Sequence, residues 1–187
     1  RDREHVALAA LRQLELDQTL LELGFRQTSL AAALGTIIGR MIHPGSELAT
    51  HQWLQQRSGL GELIDYDFER LPLKRLYQVS DELLKHKESL ETALFEREKT
   101  LFDIDDVITL YDLTNTYFEG QSSANRHAEL GRSKEKRSDC PLVTLALVLD
   151  GSGFVKKSEI FAGNISEPAT LASMLERLSA LSPSEAP

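Results

Sequence analysis

The spacing of apolar residues changes once along the chain, just after Phe102. Before that point apolar residues recur at helical intervals, and after it they form the β-branched and aromatic runs that are typical of strands. We therefore predict a mixed fold of the α+β or α/β class. A helical amino-terminal domain is expected over residues 1–103 and a sheet-containing domain over residues 104–187.

Glycine and proline divide the first domain into separate helices. A helical stripe over residues 6–21 is expected to end near Gly24, and a second helix is expected over residues 29–41. His43-Pro44-Gly45 breaks that helix, and Ser46 has a side chain suited to capping the next one.

The longest helix is expected to begin at Ser80 and to run to about Leu101, after a short helix opened by Pro72. Its apolar residues stand among many charges and are Leu83, Leu90, Leu94 and Leu101. This spacing predicts a narrow buried seam and a solvated outer face.

Three strands are predicted in the second domain, over residues 107–113, 142–149 and 154–161. A helix is predicted to follow them from about Ser166. Residues 142–149 are apolar on both faces, which favours a central strand. Asp150-Gly151-Ser152-Gly153 predicts a hairpin turn, because glycine adopts the positive φ that such turns require. The inner face of the helix is predicted to carry Leu171, Met174, Leu175 and Leu178.

The predicted sheet is incomplete. A helix that follows a strand normally crosses over to a parallel strand, and none follows here. The chain begins at Arg1 and ends in Ser-Pro-Ser-Glu-Ala-Pro. We therefore expect a piece of a longer protein.

Composition argues against several classes of protein. No apolar run approaches the roughly 20 residues of a membrane span, and no segment has the pattern of a signal peptide. The single Cys140 excludes an internal disulfide, which fits a reducing cytoplasm.

A net charge of −8 argues mildly against nucleic acid as a partner. Residues 121–140, however, hold five basic and three acidic side chains, so a local basic loop can still meet phosphates.

One carboxylate, Asp112, lies inside the apolar and aromatic run of the first strand. It must be solvated, paired or bound to metal, because a bare buried carboxylate is very costly. This strand contains the first of three ordered motifs, which are YDLTNTYFE at 111–119, GRSKEKRSD at 131–139 and GNISE at 163–167.

Together the motifs resemble the amino-terminal half of the catalytic region of DDE transposases from bacterial insertion sequences. Those enzymes show Y-D-x-T-x-x-Y-F-E, G-x-S-K-x-x-R-x-D and G-N-x-x-[DE] in this order. The resemblance covers about residues 110–178. It implies a truncated ribonuclease-H-like domain, of which this chain holds the first three strands and the first helix.

The resemblance implies that Asp112 is the first carboxylate of the DDE triad, a catalytic residue and a ligand of Mg²⁺ or Mn²⁺ in the full-length parent. The second Asp and the Glu have no counterpart here, so we expect this chain alone neither to hold the metal nor to cleave DNA.

The implied partner is double-stranded DNA at the transposon ends, in the bacterial cytoplasm and nucleoid. The candidate phosphate contacts are Arg132, Lys134, Lys136 and Arg137. The helical domain would bind DNA ends or a second protomer of a homodimer.

Two other interpretations stay open. The chain can be a catalytically inactive remnant that at most binds DNA or a protein. It can also belong to a different ribonuclease-H-like nuclease, although the second motif is foreign to the usual pattern of that class. At single positions, Thr114 and Asn115 are expected to bond backbone groups, and Asn164 is expected to lie in a turn. Glu119 is expected to be exposed or to be a structural hydrogen-bond acceptor.

Overall fold

The computed structural model describes residues 2–102, 110–119, 122, 124–131 and 139–179, apart from the side chains of Leu110, Glu167 and residues 175–179. The described part mixes helices with one antiparallel sheet and is of the α+β class. In chain order the elements are α1 (Asp2–Gln13), α2 (Leu16–Glu22), α3 (Gln27–Ile42), α4 (Glu47–Gln56), α5 (Leu60–Ile64), a 3-10 turn (Phe68–Arg70), α6 (Leu73–Lys85), α7 (Lys87–Phe102), β1 (Leu110–Tyr117), β2 (Leu142–Leu149), β3 (Val155–Ala162) and α8 (Glu167–Ser179).

The chain divides into two compact units, Arg1–Leu101 and Phe102–Pro187, which we call the helical unit and the sheet unit. The division lies beside the predicted boundary at residue 103. Among the described helices, none has both the length and the apolar character needed to cross a membrane.

Two glycines on α3 allow α4 to pack closely against it in the core of the helical unit. A Cβ atom built on Gly35 would lie 2.9 Å from the Leu54 side chain of α4, and one built on Gly39 would lie 2.8 Å from the Thr50 side chain. Ile38 on the same helix is fully buried. The close approach of α3 and α4 therefore depends on glycine at both positions.

Several predicted helix ends are confirmed. The Ser46 hydroxyl accepts a hydrogen bond from the Ala49 amide at 3.2 Å and so caps α4. Gly24 follows α2 with a φ of +96°. The single stripe predicted over residues 6–21 is wrong, because the backbone of Glu15, with a φ of +55°, separates α1 from α2.

The longest predicted helix is also wrong in its bounds. Ser80 caps nothing; it lies inside α6 and its hydroxyl donates to the Leu76 carbonyl at 3.2 Å. The break falls instead at His86, between α6 and α7. Leu83, Leu90 and Leu94 do pack partly buried against the core, whereas Leu101 is exposed.

One buried carboxylate ties α1 to the start of α5. Glu4 accepts hydrogen bonds from the Ser58 hydroxyl at 2.7 Å and from the Gly59 amide at 2.9 Å. Burial by itself raises the pKa of Glu4, but hydrogen bonds from the amino terminus, the Ser58 hydroxyl and the Gly59 amide, together with the positive charge of the amino terminus, outweigh burial and hold the pKa below its usual value. Glu4 therefore stabilises the folded unit in its ionised form.

We expect Glu4→Gln to lower the free energy of unfolding of the helical unit by about 2 kcal/mol at neutral pH, since it weakens charge-assisted hydrogen bonds. A lowered folded pKa gives a contribution that is complete above the unfolded-state pKa of about 4.3 and is lost as the pH falls through the folded value. Urea unfolding followed by the fluorescence of Trp53, the single tryptophan, measures both effects. Glu22→Gln, at an exposed position of α2, is the control, and equal losses in the two variants would contradict the prediction.

Candidate functional site

The sheet has the order β1-β2-β3, and both pairs of strands are antiparallel. The prediction that residues 142–149 form a central strand is confirmed. β1 reaches Tyr117, beyond the predicted end at residue 113, and residues 103–109 lie outside the described part. The hairpin between β2 and β3 is where the sequence placed it, and Gly153 has a φ of +91°.

One face of the sheet packs on α8. Ala146 and Val148 of β2 are buried with Met174 of α8, and partly buried Tyr111, Leu113 and Phe161 pack against them. We call this the covered face. Met174 is fully buried as predicted, but Leu171 is 41% exposed, so the predicted inner face of α8 is only partly correct.

Asp112 lies on the opposite face of β1, which we call the open face. Its partner across the sheet is Leu147, whereas Leu113 is paired with Ala146 on the covered face. Side chains alternate along a strand, so Asp112, Thr114 and Thr116 share the open face, and all three are exposed. Asp112 is therefore a solvated carboxylate.

The side chains of Thr114 and Asn115 form hydrogen bonds with other side chains, so the prediction that they bond backbone groups is wrong. The Thr114 hydroxyl donates to the Asp112 carboxylate at 3.5 Å, at the outer limit of a hydrogen bond. On the covered face, the Asn115 amide donates to the Thr144 hydroxyl at 3.0 Å. Sequence reasoning missed the Asn115–Thr144 pair because strand register was unknown.

The hairpin turn has a second structural cause besides glycine. Asp150 is almost fully buried, and its Oδ1 accepts from the Ser152 and Phe154 amides at 2.8 and 2.9 Å. An aspartate that bonds backbone amides two residues ahead is a frequent turn-former, so the DGSG sequence carried this signal. Asp150 thus has a structural role.

Parts of all three motifs meet at one end of the sheet. A Cβ on Gly131 would collide with the Gly163 carbonyl, and a Cβ on Gly163 would collide with the Leu142 carbonyl at the start of β2. Leu142 also pairs with Tyr117, the last residue of β1. Glycine in the second and third motifs therefore allows three backbone segments to stack.

The Gly163 amide adds a hydrogen bond to the His127 carbonyl at 3.1 Å. Glu129 and Leu142 exchange backbone hydrogen bonds at 3.1 and 2.9 Å. These contacts hold the chain that precedes the second motif against β2. Asn164 lies in a turn and Glu119 is exposed, both as predicted.

The basic residues predicted to contact DNA phosphates lie outside the described part of the chain. They are Arg132, Lys134, Lys136 and Arg137. Among the residues that are described, no group of three or more His, Cys, Asp or Glu side chains could hold a metal ion. Asp112 is the type of oxygen ligand that Mg²⁺ or Mn²⁺ prefers, but one carboxylate does not make a metal site.

Comparisons of the chain with protein-family models, with curated proteins and with solved structures give no match.

Proposed function

We propose that this chain is the amino-terminal portion of a DDE transposase, which cuts and joins DNA at the ends of a bacterial insertion sequence. In this proposal the sheet unit is the beginning of a ribonuclease-H-like domain and Asp112 is the first carboxylate of its active site. The full-length protein acts in the cytoplasm as a homodimer and uses Mg²⁺ or Mn²⁺.

The observation that carries the proposal is the placement of the three motifs on one sheet. Asp112 lies exposed on β1, and the glycines of the other two motifs stack against the start of β2. An antiparallel sheet in the order β1-β2-β3 followed by α8 agrees with the first half of a ribonuclease-H-like domain. The motifs therefore share one sheet, with Asp112 opposite Leu147 and the stacked glycines at Leu142.

A second candidate is a catalytically inactive remnant that binds DNA or a protein. One observation on the described residues supports it, namely that no three of their His, Cys, Asp or Glu side chains form a group that could hold a metal ion. The two candidates differ in what a longer protein containing this chain can do.

The test is DNA strand cleavage with Mg²⁺ on duplexes that carry the ends of the encoding element. We expect a longer protein, extended through the rest of the domain, to cleave these ends, and the 187-residue chain to show no cleavage. Among the described residues, no three His, Cys, Asp or Glu side chains form a group of the kind that a two-metal site requires. Absence of cleavage by the longer protein would favour the remnant, and robust cleavage by the short chain would show that the site is misassigned.

The proposed phosphate contacts are tested by their dependence on salt. We expect the triple variant Lys134→Ala, Lys136→Ala, Arg137→Ala to bind duplex DNA more weakly, with the slope of log K against log salt reduced by about one for each phosphate that the loop no longer neutralises. Fluorescence anisotropy between 50 and about 200 mM salt covers the informative range. The matched control is the charge-preserving variant Lys134→Arg, Lys136→Arg, Arg137→Lys, which should keep the slope of the unchanged protein. A slope equal to that of the unchanged protein would show that the loop does not touch DNA.

A further inference from the structure

A polar pair lies within the otherwise apolar covered face. Asn115 of β1 stands directly opposite Thr144 of β2, and its amide donates to the Thr144 hydroxyl at 3.0 Å. Thr144 is 4% exposed and Asn115 is half-buried. The next pairs along this face are Leu113 with Ala146 and Tyr117 with Leu142. The hydrogen bond is therefore made among apolar side chains.

The apolar pattern of β2 does not specify its register against β1. Residues 142–149 are apolar on both faces, so a shift by one residue exchanges one apolar set for another. The connection does not specify it either, since β1 ends at Tyr117 and β2 begins only at Leu142. A hairpin loop that sets the register has about two to five residues.

The polar pair does distinguish among registers. A shift by two residues keeps each strand on its face but places Asn115 opposite Leu142 or Ala146, and Thr144 opposite Leu113 or Tyr117. In either shifted register the Asn115 amide and the Thr144 hydroxyl would lose their hydrogen bond to each other inside an apolar layer, which costs free energy. A shift by one residue would turn Asp112 from the open face towards the layer under α8.

We propose that Asn115 and Thr144 are positioning residues, whose hydrogen bond selects the register in which Asp112, on the open face, lies opposite Leu147. The pair acts through the backbone of β1 and does not touch the carboxylate. This inference rests on the proposed function only for the importance of Asp112, since the register itself is a property of the sheet. A buried polar pair that specifies alignment more than stability is a known device in other folds.

The experiment compares variants of the 187-residue chain by thermal unfolding and by NMR. Asn115→Leu with Thr144→Val removes both polar groups at nearly constant size, so we expect a Tm equal to or above that of the unchanged chain. The same variant should show more than one Asp112 amide signal and lose the NOE between Asp112 and Leu147. The exchanged pair, Asn115→Thr with Thr144→Asn, should restore one signal and the NOE. The control Thr116→Val, on the open face, should leave both unchanged.

A role in stability alone predicts a different pattern, namely a lowered Tm with a single Asp112 signal. That pattern would overturn the proposal, as would an undiminished NOE in the doubly apolar variant or its failure to fold. Loss of the NOE in the Thr116→Val control would overturn it too. None of these measurements uses DNA or metal, so the register can be confirmed even if the longer protein fails to cleave DNA.

Discussion

Asp112→Asn in the longer protein is expected to reduce DNA strand cleavage by at least about 100-fold, more than outer-shell changes at metal sites typically cost. Asparagine has nearly the same size but lacks the negative charge that a metal ligand of this class provides. Asp112 is exposed on the open face, and its described side-chain contact is with Thr114 at 3.5 Å. The substitution should therefore leave folding and DNA binding nearly unchanged.

The measurement pairs a cleavage assay with a binding assay on the same end duplex. Glu119→Gln is the matched control, because Glu119 is also exposed and follows the end of the same strand. We expect the control to cleave as the unchanged protein does. Cleavage retained by Asp112→Asn would remove Asp112 from the active site and with it the main residue of the proposal.

Gly163→Ala is expected to lower the free energy of unfolding of the sheet unit by about 3 kcal/mol, the upper end of the usual cost of overpacking. Its Cβ would collide with the Leu142 carbonyl and would lie 2.7 Å from the Leu142 side chain. The neighbouring Gly163 amide already donates to His127, so the backbone has little room to shift. Relief of the collision would separate β2 from the two stacked glycine segments.

Hydrogen exchange of the β2 amides reports this loss within the sheet unit. Gly153→Asn is the control, because nothing lies within 4 Å of a Cβ at Gly153 and asparagine tolerates its positive φ. We expect a clearly smaller change there. Equal exchange rates in the two variants would mean that Gly163 can move away from Leu142 without cost.

Local signals in the sequence predicted much of the fold. The cap at Ser46, the hairpin after Leu149 and the central position of β2 each follow from a few neighbouring residues, and the structure confirms them. The helix breaks at Glu15 and His86 were not predicted, since neither position carries glycine or proline. Packing of the neighbouring helices, which local sequence does not contain, overrides propensity at such sites.

The candidate site was predictable to a smaller extent. The motifs identified Asp112 and the two glycines, but the stacking of Gly131 on Gly163 joins residues that are far apart in sequence. The Asn115–Thr144 bond was hidden for the same reason, because a cross-strand partner is known only once the register is known.

By itself, the sequence determined the change from helices to strands after Phe102 and placed Asp112 and Leu113 on opposite faces of one strand. Alternation along a strand is a local property of the backbone, so it needs no knowledge of the rest of the chain. Only the tertiary structure decided which face is covered. α8 packs through Met174 on the face of Leu113 and Ala146, and Asp112 is left on the open face. That choice depends on the burial of apolar surface between distant segments, which no single strand specifies.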